Sequence, residues 1–403
     1  MAINPHQSGK LPMGALLALA MTGFTCIVTE TLPAGLLPEI SEGLQVSPSL
    51  AGQTVTVYAL GSLLAAIPLT IATQGWRRRN VLLLAIVGFL LFNSLTAWSP
   101  SYGVTLIARF FAGVSAGLAW SLVAGYARRM VEPSMQGRAL AVAMVGTPIA
   151  LSLGVPLGTW LGNWMGWRAA FASMSGLTLI LIVWVLAKMP DYPGKAASER
   201  LQLRQVLVTR GVRPVLAVVF TWMLAHNVLY TYVAPFVTPA GLGDRVDAVL
   251  LVFGLAALLG IAIAGRLVDR HLRTTVLLSL GAFAATALLL GLFVQSTAVV
   301  YAGVFVWGVT FGGAATLLQT ALADSAGQGA DVALSMNVVV WNGAIAGGGL
   351  LGGVLLDQVG VGAFAWVVLV LVLISLWIAL AAREHGFAAG HRQARIPVGE
   401  ATA

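Results

Sequence analysis

The segment Tyr58-Ala-Leu-Gly-Ser-Leu-Leu leads to Arg78 at the start of a long apolar run. At an offset of 195 residues, Phe253-Gly-Leu-Ala-Ala-Leu-Leu leads to Arg273 at the start of another. The same offset places Phe110, Gly113, Val114 and Gly117 over Phe305, Gly308, Val309 and Gly312. A repeat of this length in an apolar chain predicts two halves with the same helical scaffold.

Two ionisable residues of the first copy have no equivalent in the second. With the offset of 195 residues, Arg109 falls on Val304, and Glu30 falls on Ala225, next to His226. Residues that repeat are expected to build the scaffold that both halves share. Glu30 and Arg109 are therefore the first candidates for chemistry.

The composition indicates a polytopic membrane protein. The 403 residues are 59% hydrophobic and 9% charged, whereas soluble proteins contain about 25% charged residues. An apolar run of about 20 residues is long enough to cross the hydrocarbon core as a helix. Twelve such spans are predicted, near residues 12–36, 50–73, 80–98, 101–125, 138–161, 168–188, 213–238, 247–266, 274–295, 298–322, 333–356 and 361–382.

The distribution of Lys and Arg predicts the orientation, because loops rich in these residues stay in the cytoplasm. With both termini inside, 19 of the 22 basic residues fall on cytoplasmic segments, while Arg168 and Arg245 fall outside and Arg109 lies within a span. The net charge of +8 is thus a topology signal. The basic residues are dispersed over six cytoplasmic segments, so a nucleic-acid partner is not expected.

Residues 189–212 form the only long polar segment in the interior of the chain, and they separate six spans from six spans. We therefore expect an N-terminal six-helix bundle at 1–188, a cytoplasmic linker at 189–212, a C-terminal six-helix bundle at 213–382 and a cytoplasmic tail at 383–403. An even number of crossings separates the halves, so they run in the same sense as parallel repeats. The predicted fold class is all-α membrane, with twelve transmembrane helices.

Two local patterns resemble the major facilitator superfamily. Gly265-Arg-Leu-Val-Asp269-Arg270 resembles the cytoplasmic loop motif of that family, although the counterpart after the second span has Gln74 in place of the Asp. Arg109-Phe-Phe-Ala-Gly113 is similar to the Arg-x-x-x-Gly motif that the family associates with proton transfer. The resemblance implies the major facilitator fold, with two parallel-related bundles.

Three further patterns are similar to the proton-coupled efflux branch of the family. Gly146-Thr-Pro148 and Gly154-Val-Pro156-Leu-Gly158 resemble the Gly/Pro motif of antiporters. Val28-Thr-Glu30-Thr-Leu-Pro-Ala-Gly-Leu-Leu resembles a pattern shared by bacterial sugar efflux transporters and by drug and nucleoside exporters. The seventh-span stretch from Ala225-His226 to Tyr230-x-Tyr232 resembles that of the sugar efflux transporter.

Glu30 and Arg109 are predicted to couple transport to protons. Each lies roughly 10–12 Å below the outer boundary at 1.5 Å per helical residue, so a contact between them is available. Burial favours the neutral carboxylic acid, whereas a neighbouring guanidinium favours the carboxylate. An ion pair that exists in only one conformation would make Glu30 a proton switch. The alternatives are a permanent pair that ties two helices together, or a Glu30 side chain that reaches the headgroups.

A second group of polar and aromatic residues is predicted to bind the substrate. His226 lies near the midplane of the seventh span and, with Asn227, supplies hydrogen-bond donors and an acceptor where a cavity between the halves is expected. A plain helix-to-helix hydrogen bond is the alternative for His226, and its solution chemistry would also allow it to carry a coupled proton. The resemblance adds Trp120, Tyr230, Tyr232, Trp307, Gln319, Asn337, Trp341 and Asn342.

Small residues are predicted to form the moving helix contacts. Gly154, Pro156 and Gly158 favour close packing and a bend in the fifth span, with the glycines from Gly347 to Gly353 of the eleventh span at about the same offset. Gly265, Asp269 and Arg270 are expected to hold one gated state closed at the inner face, with Asp269 and Arg270 capping helix ends.

The combined prediction is a proton-coupled secondary transporter that exports a small organic solute by alternating access. The solute is predicted to be a sugar, a sugar-like compound or a drug; a nucleoside or amphiphilic drug exporter is the alternative, and a proton-linked importer is a further one. The chain is not expected to be an enzyme, and neither a cofactor nor a metal is predicted, because Cys26 is the only cysteine and no nucleotide-binding loop is present. A monomer with both termini cytoplasmic is expected in the bacterial inner membrane.

Overall fold

A computed structural model describes residues 11–73, 75–132, 135–194 and 203–388. Within those residues, twelve helices are long and apolar enough to cross a membrane. They are spans 1 to 12 in chain order: Met13–Gly35, Pro48–Thr70, Arg78–Trp98, Tyr102–Arg129, Ala139–Met165, Trp167–Lys188, Val212–Thr231, Gly243–Val268, Arg270–Leu292, Thr297–Ala326, Val332–Gln358 and Gly362–Ala381. The predicted twelve-helix membrane fold is confirmed. The parts of the predicted linker and tail at 195–202 and 389–403 lie outside the described residues.

Spans 1 and 7 both break near the same end of the bundle, which the sequence did not predict. Leu36 has φ −118° and ψ 24°, and the short helix Leu37–Leu44 follows it. Tyr232 has φ −114° and ψ 31°, and the short helix Val233–Val237 follows it. The seventh apolar run, predicted to continue to residue 238, is therefore two helices, and Pro235 removes one backbone donor from the second of them.

The repeat is visible in the packing of equivalent glycines. A Cβ atom added to Gly113 would lie 1.9 Å from the carbonyl oxygen of Tyr58, and one added to Gly308 would lie 2.5 Å from that of Phe253. Span 4 therefore lies directly against the backbone of span 2, as span 10 does against span 8. A second pair of equivalent glycines makes the same kind of contact: Gly117 and Gly312.

The repeat also extends to the segments that follow spans 6 and 12. The backbone N–H of Arg78 donates to the carbonyl of Tyr192 at 2.9 Å. The guanidinium of Arg273 donates to the carbonyl of Phe387, also at 2.9 Å. Tyr192 and Phe387 are separated by the same 195 residues as the two arginines. In each half the chain thus returns to the start of the third helix.

Long apolar side chains cover the outside of the bundle. Leu64, Ile180, Val183, Leu278 and Trp377 are each 60–69% exposed. Such a surface is stable when it faces lipid, and helices satisfy their own backbone groups there. The protein is a multi-pass membrane protein.

Candidate functional site

Arg109 of span 4 ties spans 1, 2 and 4 together. The guanidinium is fully buried and donates to the carbonyl oxygens of Thr29 at 2.6 Å, Glu30 at 3.3 Å and Thr54 at 3.2 Å. The bond to Thr29 has a local cause. Pro33 lies four residues later in span 1 and has no N–H to offer, so the Thr29 carbonyl lacks its helical donor. Arg109 replaces that donor.

Two aromatic rings cover the Arg109 guanidinium. Its Cζ atom lies 4.7 Å from the ring centroid of Tyr58 and 5.5 Å from that of Phe171. Tyr58 is held in place by its hydroxyl, which donates to the carbonyl of Cys26 at 3.0 Å. Cation–π contacts and carbonyl dipoles thus surround the positive charge. The guanidinium is stabilised without a carboxylate in contact.

Glu30 lies beside this network with its carboxyl group unpaired. The side chain is 8% exposed, and no ion pair or hydrogen bond to its carboxyl oxygens is found among the described residues. The predicted closeness to Arg109 is therefore present, but the contact runs through the Glu30 backbone. The reason is Pro33, because the carbonyl it leaves free competes for the guanidinium.

His226 of span 7 lies in an aromatic cluster of the second half. The indole N–H of Trp307 donates to its Nδ1 atom at 3.1 Å. The ring of Phe311 stacks on the imidazole with centroids 3.5 Å apart and planes 4° apart, and Tyr230 stacks on it at 5.1 Å. Phe253 lies 5.7 Å away. His226 is 6% exposed.

Tyr230 connects the two centres. Its buried hydroxyl has no hydrogen-bond partner among the described residues, and it lies close to Thr31 and Glu30 of span 1. His226 lies four residues before Tyr230 and therefore on the same face of span 7. Polar groups from both halves therefore meet between spans 1 and 7, at the interface of the repeats.

The predicted asparagines are placed in two ways. Asn227 donates to the Met223 carbonyl at 2.8 Å, and a Cβ atom added to Gly348 would lie 2.5 Å from the Cβ of Asn227. Asn342 donates to the Val338 carbonyl at 2.9 Å. Both amides thus bond their own helix. Asn337 is 4% exposed, and its Oδ1 atom has no partner among the described residues.

The remaining predicted binding residues lie further from this centre. Trp120 is partly buried, with its ring near Gly23 of span 1. Trp341 is partly buried against the core of the second half. Gln319 is exposed in this conformation. Neither tryptophan makes a ring contact with His226 among the described residues.

The glycines of span 5 pack within the first half. A Cβ atom on Gly154 would lie 2.6 Å from a Val28 methyl carbon, and one on Gly158 would lie 2.7 Å from Leu32. The segment Ala150–Gly154 is a π-helical turn that leads into the buried Pro156. Such turns are frequent where helices bend at functional sites. The predicted tight contact thus exists, but it joins spans 5 and 1.

The structure describes the predicted inner-face motif, residues 265–270, only in part. A Cβ atom added to Gly265 would meet no atom within 4 Å, so this glycine is not a close-packing position here, contrary to the prediction. Arg270 is exposed at the start of span 9, where the helix kinks at His271. The Gln74 residue and the side chain of Asp269 lie outside the described part of the chain.

A hydrogen-bonded contact that the sequence did not predict closes one end of the bundle. This is the end with residues 36–47, the predicted outer end, and we name the contact the outer seal; its members are Ser49, Gln53, Tyr232, Gly349 and Asp357. The Tyr232 hydroxyl donates to the Gly349 carbonyl at 2.8 Å, and the Ser49 hydroxyl donates to Asp357 at 2.6 Å. Gln53 donates to Tyr232 and to Gly349 at 3.3 Å. Span 2 of the first half is thus joined to span 11 and to the break after span 7 in the second half.

Comparisons with known proteins agree with this architecture. The family model of the Major Facilitator Superfamily matches residues 19–347. The purine ribonucleoside efflux pump NepI of Escherichia coli O157:H7 is 29% identical over 352 residues, covering 86% of this chain and 88% of the pump. The pump of the same name from Shigella sonnei (strain Ss046) is 30% identical over the same shares.

Two solved structures share the fold. The human organic anion transporter MFSD10 (TETRAN) superimposes with a TM-score of 0.69 at 18% identity, covering 92% of this chain and all of that one. The xylose transporter XylE from E. coli, in a partially occluded inward-open conformation, gives a TM-score of 0.73 at 16% identity, covering 92% and 99%. At these identities the likeness concerns the fold alone.

Proposed function

The chain belongs to the Major Facilitator Superfamily, and on that premise we propose that it exports a small organic solute in exchange for protons. The transporter family, the twelve spans and the efflux pumps among its relatives support an exporter. It acts as a monomer in the bacterial inner membrane, with residues 1–188 and 213–382 as its two bundles and both termini in the cytoplasm. It is a transporter and not an enzyme.

The observation that carries the proton coupling is the unpaired, buried carboxyl group of Glu30. A buried carboxylate without a partner is unfavourable, so the neutral acid is the stable form in this conformation. Arg109 lies next to it but is occupied by backbone carbonyls. A shift of span 1 that exchanges a carbonyl for the Glu30 carboxylate would release the proton. Glu30 is thus the proton carrier, and Arg109 is the group that decides when it is ionised.

The side of solute entry is inferred from the outer seal. Because the seal closes the predicted outer end, we assign the conformation described to the state that loads solute from the cytoplasm. Solute binding between spans 1 and 7 drives proton release from Glu30. Opening of the seal then lets the solute leave and a proton return. Such rocking of one half against the other is the transport cycle of parallel-repeat transporters.

The proposed solute is a purine ribonucleoside or a compound like it. The relatives named above carry this substrate in their names. The aromatic residues Tyr230, Phe253, Trp307 and Phe311 pack together around His226, and aromatic side chains are suited to a planar base. A sugar, the first prediction from the sequence, would use the hydrogen-bonding groups but not these faces. Proton-driven transport of a sugar or of an amphiphilic drug, without transport of a ribonucleoside, would contradict this choice of solute.

Transport by the purified protein in liposomes tests this function. With an imposed proton gradient, labelled inosine should accumulate against its own gradient, and labelled glucose should not. Glu30→Gln should abolish gradient-driven accumulation but retain exchange of labelled for unlabelled inosine, because the neutral amide mimics the protonated acid. Glu39→Gln, in the short helix after span 1, is the matched control and should behave as wild type. Gradient-driven accumulation by Glu30→Gln at the wild-type level would reject the role of Glu30.

A further inference from the structure

We propose that His226 acts as a neutral hydrogen-bond donor, through its Nε2–H, to an acceptor atom on a planar heteroaromatic solute. Trp307 is the positioning residue that fixes this tautomer. The inference rests on the proposed transport function and adds the chemistry by which the second half recognises the solute. It also assigns proton transfer to the first half alone.

The tautomer follows from the partner of Nδ1. An indole nitrogen can only donate a hydrogen bond, so the Nδ1 atom that it contacts at 3.1 Å must be the acceptor. A neutral imidazole that accepts at Nδ1 carries its proton on Nε2. An imidazolium would bring two N–H groups face to face and break this bond. Trp307 thus holds His226 in one uncharged form.

The packing of the ring leaves only the Nε2 edge for a ligand. Phe311 stacks on the imidazole at 3.5 Å, and Tyr230 stacks on it at 5.1 Å. The Nδ1 edge faces Trp307. The Nε2 atom has no hydrogen-bond partner among the described residues and is not one of their fully buried unpaired atoms, so it stays accessible to a solute. A hydrogen bond from this N–H to an acceptor atom of the solute would be stabilising.

The surroundings of His226 are compatible with a neutral imidazole. The aromatic side chains packed against His226 come from spans 7, 8 and 10; they are Tyr230, Phe253, Trp307 and Phe311, and none of them carries a charge. No ion pair to the imidazole is found among the described residues. Across the interface, Glu30 of span 1 lies near Tyr230.

The position of His226 in the repeat explains why it faces the interface. Spans 1 and 7 break at Leu36 and Tyr232. Glu30 and His226 each lie six residues before the break of their span. The repeat of 195 residues aligns Glu30 with Ala225, the neighbour of His226, so the two side chains occupy similar but not identical positions in the two halves. The first half presents a group that can lose a proton, and the second presents a fixed donor.

The acceptor and the ring faces together define the solute class. A lone N–H donor recognises a ring nitrogen or a carbonyl oxygen, and the neighbouring aromatic rings favour a flat partner. Purine bases carry both features. A sugar offers hydroxyl groups, which donate as well as accept, and no flat face. The geometry thus favours a heteroaromatic base over a sugar.

The first experiment reads the tautomer without any solute. Protein labelled with ¹⁵N-histidine, purified in detergent, gives imidazole nitrogen shifts that distinguish the two neutral tautomers from the imidazolium; loss of a signal in His226→Asn assigns it. We expect the neutral Nε2–H form between about pH 5 and 8, the range in which histidine ordinarily titrates, and a mixture of forms in Trp307→Phe. An imidazolium in wild type within that range, or an Nδ1–H form, would overturn the inference.

The second experiment tests the donor with matched changes on both sides. Binding of adenosine and of its 1-deaza, 3-deaza and 7-deaza analogues is measured on full-length protein. The analogue that lacks the ring nitrogen contacted by His226 should bind wild type about 3- to 10-fold more weakly than adenosine, which is the effect of one hydrogen bond. In His226→Asn, which keeps an acceptor for Trp307 but lacks the Nε2–H, that difference should vanish. His226→Gln, whose amide can place an N–H near the lost one, should retain part of it.

The outcomes separate this inference from the transport proposal. Equal losses for the analogue in wild type and in His226→Asn would show that the donor lies elsewhere, even if proton-driven transport is intact. Absence of adenosine binding together with proton-driven transport of another solute would contradict the heteroaromatic class. If His226→Asn does not fold, the comparison of wild type with His226→Gln and Trp307→Phe decides the same question.

Discussion

The two halves of the molecule share a scaffold but differ at their centres. Glycines at equivalent positions bring span 4 against span 2 and span 10 against span 8, and equivalent arginines, Arg78 and Arg273, hold the segments after spans 6 and 12. At the centre of the first half, the buried Arg109 guanidinium lies beside the unpaired carboxyl group of Glu30. The equivalent of Arg109 is Val304. The second half therefore has no counterpart to the buried guanidinium.

The difference indicates a division of labour. A buried guanidinium is useful where a neighbouring carboxyl group must change its ionisation, because the positive charge stabilises the ionised carboxylate. The second half instead holds a histidine in one neutral form through Trp307. Packing in a repeat is preserved because both halves must fold and rock alike. In the proposed transport cycle the chemistry diverges, because one half handles the proton and the other recognises the solute.

The largest expected effect concerns the hydrogen bond from Arg109 to the Thr29 carbonyl, which Pro33 leaves without a helical donor. Arg109→Ala leaves the Thr29 carbonyl without a donor and opens a cavity, so unfolding free energy should fall by about 2–4 kcal/mol. In a Pro33→Ala background, residue 33 regains an N–H that can serve Thr29, so the loss should be smaller by about 1 kcal/mol. Unfolding of the four proteins in detergent measures this coupling.

The second half supplies the control for this cycle. Val304→Ala changes the equivalent position but touches neither Thr29 nor Pro33, so its effect should add to that of Pro33→Ala without coupling. Coupling of equal size for Val304→Ala and Arg109→Ala would show that Pro33 affects stability generally. The proposed exchange of carbonyl for carboxylate at Arg109 would then lose its support.

A smaller effect tests whether the scaffold is equivalent in the two halves. Gly113→Ala and Gly308→Ala would each place a methyl group against a facing backbone carbonyl, so each should lower the unfolding free energy by about 1–3 kcal/mol. Gly176→Ala is the control, because its Cβ would meet no atom within 4 Å. A large loss in one half and none in the other would break the comparison.

The smallest effect concerns the outer seal, where the halves meet. Tyr232→Phe removes the hydroxyl whose single proton lies between the carbonyls of Gly349 and Ser49, so the closed state should lose about 1 kcal/mol, roughly a fivefold change in population. Spin labels are placed at the exposed positions Glu42 of the first half and Val359 of the second, in a Cys26→Ser background. The fraction of molecules with a long distance between the two labels, which corresponds to an open outer end, should increase in Tyr232→Phe.

Tyr102→Phe is the matched control for the seal. The Tyr102 hydroxyl donates to the Leu50 carbonyl at 2.8 Å, a bond at the same end of the bundle but within the first half. Its loss should leave the distance distribution unchanged. If Tyr102→Phe and Tyr232→Phe shift the distances alike, then the seal is not held by contacts between halves.

The sequence predicts the helices well because length and hydropathy decide membrane spans. All twelve were located, and the repeat anticipated the packing of Gly113 and Gly308. The break at Tyr232 was missed because the apolar run continues past it to Val237. Hydropathy does not register a local change of backbone angle; Pro235 was the available signal.

The site was predicted only in part because its contacts depend on helix rotation. Glu30, Arg109 and His226 were all found from the sequence, but the partner of Arg109 was expected to be a carboxylate. The proline four residues after Thr29 signals a free carbonyl, yet only the packing of span 4 against span 1 brings Arg109 to it. The outer seal joins residues about 300 apart, such as Ser49 and Asp357, for which no local pattern exists.

Proton release on solute binding tests most directly whether the first half carries the proton while the second binds the solute. Purified wild-type protein in weakly buffered detergent solution should release protons when adenosine is added. Glu30→Gln should bind adenosine and release none, whereas His226→Gln should bind more weakly but still release protons at saturation. Proton release by Glu30→Gln, or its loss in saturated His226→Gln, would contradict this division between the halves.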